Sequence, residues 1–231
     1  MELSEAIRTT AAVRDFTDQA VSDEEVYRLL DSARFAPSGG NRQGWRVVLV
    51  KDRALRRSLR DVYTRVWYEY VAQASAGLVP WAPITDRDAE QLALARAPEI
   101  AAQAAAGPGG FAERLDAVPV LLVVLADLRV LAATDRDGGR YTIVGGASVY
   151  PFAWSLLLAA RDAGLGGVVT TMVTREEPEV RRLLSVPDEY AVAALVALGR
   201  PSDQPTRLRR AAVADFTTID RFDGAPLGPA P

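Results

Sequence analysis

The chain has 231 residues, 27 Lys or Arg against 30 Asp or Glu, and neither histidine nor cysteine. The two absences exclude disulfides, thiolate nucleophiles, Cys/His zinc sites and every catalytic triad built on an imidazole. A formal charge of −3 argues against a nucleic-acid partner, and no apolar run reaches the ~20 residues of a membrane span. Chemistry therefore falls to carboxylates or to a borrowed cofactor, with Lys51 as the single lysine for a Schiff base. The acidic, polar start at Met1, Glu2 and Ser4 is unlike a signal peptide, so a cytoplasmic protein is the expectation.

Leu3, Ala6 and Ile7 predict a short opening helix, followed by a polar stretch holding Arg14-Asp15-Phe16. Ser22 and Glu25 form a capping-box pattern ahead of Val26, Leu29, Leu30 and Ala33 at helical spacing. Pro37 with Gly39-Gly40 ends that helix, and residues 45–50 form a β-branched apolar run read as a strand. Residues 53–76 read as a helix with Leu55, Leu59, Val62 and Val66 on one face. From 79 to 118 the chain is rich in Ala, Pro and Gly. One helix is expected over 86–106, and the segment reads as a helical insertion or lid within a single domain spanning 1–231.

Val120 to Leu125 is a continuous apolar run, suited to a strand covered on both faces. An apolar helix is expected over 148–163 with Gly164 past its end, then a strand over 168–172. A helix over 176–185 and a strand over 190–198 follow, and then an arginine-rich tail. Four buried strands separated by helices predict an α+β chain folded as a three-layer α/β/α sandwich. Helices in most connections favour a largely parallel sheet.

Three segments can carry chemistry. Ala36-Pro37-Ser38-Gly39-Gly40-Asn41-Arg42-Gln43-Gly44-Trp45 allows close backbone approach to a ligand, or is simply a helix-to-strand turn anchored by Trp45. Gly164-Leu165-Gly166-Gly167 follows a helix rather than a strand, which fits a helix cap and tight turn and not a dinucleotide fingerprint. Arg207, Arg209 and Arg210 suit phosphate oxygens, or form a solvated surface. The carboxylate pairs Asp86/Asp88 and Glu176/Glu177 sit at helix starts, where the dipole accounts for them.

Together, Val13-Arg14-Asp15-Phe16, the 36–45 turn, Leu156-Leu157-Leu158-Ala159-Ala160 leading to Gly164-Leu165-Gly166, Leu183 to Tyr190, and Leu198-Gly199-Arg200-Pro201 fall in a characteristic order. In that order the chain resembles the nitroreductase family of flavin enzymes over nearly its whole length, residues 79–117 excepted. The resemblance implies a central mixed sheet flanked by helices and an FMN-binding homodimer with the flavin at the subunit interface. It also implies electron transfer from NADH or NADPH to a small organic acceptor, nitroaromatic or quinone-like, by a ping-pong route. Arg14 would contact the FMN phosphate or ribityl chain. Ser38, Gly39 and Asn41 would approach from the partner subunit, and Ser148 would stand near the pyrimidine edge. Thr170, Thr171 and Met172 would run along the isoalloxazine with a backbone N–H facing N5. One of Arg207, Arg209 and Arg210 would complete the phosphate site. No metal and no acid–base residue is implied, since the flavin carries the chemistry.

One departure stands out: where the family carries Arg and Ser before Val13, this chain has Thr10-Ala11-Ala12. Each charge-assisted bond so lost is worth about 1.5–3 kcal/mol. Weak FMN binding, compensation by Arg8 or a tail arginine, and a deazaflavin in place of FMN all follow as alternatives. So do a specialised oxidase or dehalogenase and a non-catalytic flavin binder. Trp67, Tyr68, Tyr70, Trp81 and Phe111 are candidates for lining an acceptor pocket, or for packing the helices of the insertion.

Overall fold

The computed structural model describes residues 1–228. Helix α1 (Leu3–Thr9) leads to α2 (Asp23–Ala33), strand β1 (Trp45–Leu49) and the long α3 (Arg53–Ser75). The 79–118 segment holds α4 (Arg87–Leu94) and α5 (Ala97–Ala105), two helices where one was expected. The chain turns at Ala95 and Arg96, and Pro98 opens the second helix, where its missing N–H does no harm. Then come β2 (Val120–Asp127), α6 (Tyr150–Asp162), β3 (Gly166–Thr170), α7 (Glu177–Leu184) and β4 (Tyr190–Gly199). Among the described residues no helix is long and apolar enough to cross a membrane.

The four strands form one sheet in the order β1-β2-β4-β3, with helices on both faces, so the layered α+β fold stands. The expectation of a largely parallel sheet does not: all three strand pairings are antiparallel. The single parallel contact among the described residues is the isolated bridge Ala12–Gly167. The sequence signal was burial on both faces, and here that burial has another cause. Leu122, Val124 and Ala126 of β2 pack under α2 and α6, whereas Leu121, Val123 and Leu125 pack under α3. Two covered faces make a strand continuously apolar whichever way its neighbours run.

β4 alternates in the same way, with one interruption. Val124 pairs with Ala194 and Leu125 with Val192, which leaves Ala193 as a bulge. The extra residue lets Val192 face α3 while Ala194 faces α6. Tyr150 at the start of α6 donates its hydroxyl to the Ala193 carbonyl at 3.2 Å.

Local signals read from the chain are realised at several joints. Ser22 and Glu25 make a reciprocal capping box, and Glu25 also binds Arg200 at 2.6 Å, tying α2 to the end of β4. α6 ends with Gly164 at φ 71°, Leu165 N–H bonding Ala160 O and Gly164 N–H bonding Arg161 O, a left-handed glycine cap. The remaining glycines of that run serve close packing. A Cβ on Gly167 would lie 2.6 Å from the Ala197 carbonyl, and one on Gly166 would lie 2.8 Å from Val13.

Candidate functional site

β3 is an edge strand: β4 pairs with one side of it, and the other side is free past the Ala12–Gly167 bridge. Gly167 spends its outward carbonyl on Val13 N–H at 2.9 Å. The two-residue alternation then turns the N–H groups of Val169 and Thr171 toward the same open edge. Against this edge lies a cavity of about 360 Å³, bounded by Thr10, Ala11, Ala12 and Arg14, by Val168 and Val169, by Tyr150, Ala153, Trp154 and Leu157 of α6, and by Arg210. That volume lies within the range of small-ligand and cofactor sites.

The cavity lining combines two arginines with an apolar bed. Arg14 and Arg210 have no carboxylate within ion-pair distance among the described residues; Arg210 donates one N–H to the Arg209 carbonyl at 2.7 Å and keeps others for an anion. Arg207 and Arg209 do not line it. Thr10 does, but its hydroxyl is committed to the Ala6 carbonyl at 2.7 Å, and Ala11 and Ala12 bring no polar side chain. Trp154 and Tyr150, one turn apart on α6, form an aromatic wall that sequence reading did not single out. The available signal was two large rings at i, i+4 on the same helix face.

Thr170 ends β3 beside this cavity, and its hydroxyl meets the Tyr63 hydroxyl from α3 at 3.3 Å. Thr171 is exposed, with φ −109° and ψ 7°, at the start of a 3-10 turn. The Met172 side chain turns away and packs in the core under α3.

Ser38, Gly39, Asn41 and Ser148 form a second group. In the 36–45 turn, Gly40, Asn41 and Gln43 all have φ between 50° and 60°. Such a left-handed run is natural for Gly and tolerated by Asn, but strained for Gln. The turn is held by Ser38 Oγ, which accepts from Gln43 N–H at 2.9 Å. Trp45, stacked on Phe152 of α6 with centroids 5.0 Å apart, anchors its end. Gly39 N–H donates to Ser148 Oγ at 3.0 Å across 109 residues of sequence, so Ser148 belongs with this turn. None of the four lines the cavity in the same chain. The structure thus joins Arg14 to Arg210 and Gly39 to Ser148, and keeps the two groups apart within one chain.

The aromatic residues of α3 pack on one another and on Trp81 and Phe111 of the insertion. Trp67 stacks on Tyr70 at 5.3 Å, Tyr70 meets Trp81 at 6.1 Å, and the Arg175 guanidinium lies 4.7 Å above the Trp81 ring. Buried Gln73 accepts from Trp81 N–H at 3.0 Å, the Tyr68 hydroxyl donates to Glu113 at 3.0 Å, and Phe111 sets its edge to Tyr63.

Four similarities bear on this geometry. The sequence model of the nitroreductase family matches residues 7–200. An NADH dehydrogenase of Thermus thermophilus is 31% identical over 84% of this chain and 83% of its own. A 5,6-dimethylbenzimidazole synthase of Rhodospirillum rubrum is 32% identical over 83% and 78%. Among solved structures, an iodotyrosine deiodinase bound to FMN and 3-iodo-L-tyrosine superimposes with a TM-score of 0.62, at 24% identity, covering 96% of this chain and 99% of its own. A family match over this span, together with relatives above 30% identity, leaves one assignment: the chain belongs to the nitroreductase family.

Proposed function

We propose that the chain is an FMN-dependent oxidoreductase that works as a homodimer and passes electrons from NADH or NADPH to a small organic acceptor, nitroaromatic or quinone-like, in ping-pong order. One observation carries the reading: the cavity at the open edge of β3, lined by two arginines that have no carboxylate partner among the described residues.

The residues present fit FMN. Arg14 and Arg210 would hold the dianionic phosphate by charge-assisted bonds. Val168, Val169, Tyr150 and Trp154 offer an apolar bed for a planar ring, and a backbone N–H of the 170–172 stretch, Thr171 in this reading, would face N5. When bound, flavin supplies the two-electron chemistry; the chain's part is to bind it, orient it and exclude water. Ser38, Gly39 and Asn41 would reach the flavin from the partner subunit, since in their own chain they lie outside the cavity. The dimer has further support in the exposed apolar tail, with Phe216 at 69% and Phe222 at 100% exposure. A cytoplasmic setting, where nicotinamide donors are supplied, accompanies this reading.

The purified protein is expected to be yellow, or to quench FMN fluorescence on titration, and NADH or NADPH should bleach the bound flavin in stopped flow. A colourless protein that leaves FMN fluorescence unchanged overturns the reading. A narrower alternative, action on one biosynthetic intermediate or a halogenated aromatic, is supported by the likeness to the benzimidazole synthase and the deiodinase. Flavin binding without reduction by either nicotinamide would favour it.

A further inference from the structure

We propose that Tyr63 is a positioning residue for the cofactor: through its hydroxyl contact with Thr170 it fixes the end of β3 whose backbone faces the flavin, without touching the flavin itself. The inference rests on the FMN reading of the cavity.

Thr170 is the last residue of β3 paired to β4, opposite Leu195. Immediately beyond it the backbone leaves the extended region, with Thr171 at ψ 7°. The end of a short edge strand, bonded on one side, is where a sheet opens most easily. Yet this is where the free Thr171 N–H must keep a fixed direction if it is to hold a ring atom. Beyond Thr170, Met172 and Val173 pack under α3, and three polar side-chain contacts from α3 reach Thr170 and the segment that follows it. Two are ion pairs with substantially exposed arginines, Arg65–Glu179 and Glu69–Arg175, and pairs of that kind contribute little. The third is the Tyr63–Thr170 hydroxyl pair at 3.3 Å.

Tyr63 is suited to act as a fixed post. It is 2% exposed on the buried face of α3 beside Leu59, Val62 and Val66, and the Phe111 ring meets it edge-on at 5.9 Å and 86°. Burial raises the phenol's pKa, against the smaller opposing effects of Thr170 and the nearby Arg14 charge, so the hydroxyl stays protonated throughout the neutral range. The ring is locked by packing, and its one polar atom is directed at Thr170. Among the described residues Thr170 is the one hydrogen-bond partner of this hydroxyl; the packing alone would be served by phenylalanine.

The test is FMN titration by fluorescence quenching, with the visible spectrum of the bound flavin recorded for wild type, Tyr63→Phe, Thr170→Val, the double variant and Thr170→Ser. Thermal unfolding of each variant is measured alongside. Loss of either hydroxyl is expected to weaken FMN binding about three- to tenfold and to shift the flavin absorption bands. The double variant should be no weaker than either single one, because both remove the same contact. Thr170→Ser keeps the hydroxyl and should restore wild-type affinity and spectrum. Wild type that binds FMN while Tyr63→Phe and Thr170→Val bind equally well, or lose affinity additively, overturns the inference alone. Wild type that takes up no FMN overturns the cofactor reading, and this inference with it.

Discussion

Arg14 and Arg210 stand 196 positions apart in sequence, yet both line one cavity, and neither has a carboxylate partner among the described residues. A charge-assisted bond to phosphate is worth about 1.5–3 kcal/mol, so Arg14→Ala or Arg210→Ala should weaken FMN about ten- to a hundredfold. Arg207→Ala, outside the cavity, should leave the dissociation constant unchanged; equal losses at all three would mean the tail arginines act only as diffuse charge. Restoring a hydroxyl by Ala12→Ser should tighten binding, because Ala12 lines the cavity and the Thr10 hydroxyl beside it is spent on α1. Isothermal titration against FMN reads all four variants. At this scale sequence was informative where a motif is local: Val13-Arg14-Asp15-Phe16 marks its arginine by neighbours. It could not choose among three tail arginines, whose approach depends on the path of a whole segment. Nor could it see Tyr63, which looks like any apolar position of a helix face until Thr170 is placed opposite it.

Among elements, boundaries were legible and directions were not. The capping box at Ser22 and Glu25, the Gly164 cap and the apolar face of α3 are written within one or two turns of chain, and each is realised. Strand direction depends on where the intervening helices return the chain, and α3 is followed by α4 and α5 before β2 begins. The same distance hides Gly39 N–H from Ser148 Oγ. Two consequences of the observed pairing are testable. Gly167→Ala drives a methyl against the Ala197 carbonyl and the Leu198 side chain in the β3–β4 ladder, and should destabilise by about 1–3 kcal/mol in urea unfolding. Where β2 ends beside the start of β4, Arg129 grips Asp127 at 2.6 Å and reaches Glu189 at 3.3 Å. That grip lowers the Asp127 carboxyl to about 2 from its ordinary value of 3.8. A depressed carboxyl adds stability above its unfolded pKa and loses it as pH falls toward its folded one. The clamp should therefore hold at pH 5 and weaken between about pH 4 and pH 2. Arg129→Met should flatten that part of the stability profile, and an unaltered profile would count against the clamp.

For the whole molecule, the decisive feature is how much apolar surface one chain leaves uncovered. Leu128 at 51%, Ile143 at 74%, Trp154 at 41% and Tyr150 at 44% exposure lie on or beside the α6 side of the sheet. The tail adds Val213, Phe216, Ile219, Phe222 and Leu227, carried partly on a small turn closed by Ile219 N–H to Ala225 O and Leu227 N–H to Thr217 O. A tail with its own hydrogen bonds and outward-facing rings has a shape to present but no core of its own chain to present it to. A second copy would supply one, and the same association would bring the Ser38–Asn41 turn of one subunit toward the Arg14 cavity of the other. Dimerisation and cofactor retention should then fail together. Removing residues 213–231 keeps Arg14 and Arg210 and every strand, yet should convert a dimer to a monomer in light scattering and release FMN on gel filtration. Trp154→Glu, a single change on the exposed face of α6, should do the same without shortening the chain. A truncated protein that remains dimeric and yellow would show that the tail is not the contact. A monomer that retains flavin would show that one subunit completes the site alone, and the partner assignment of Ser38, Gly39 and Asn41 would fall.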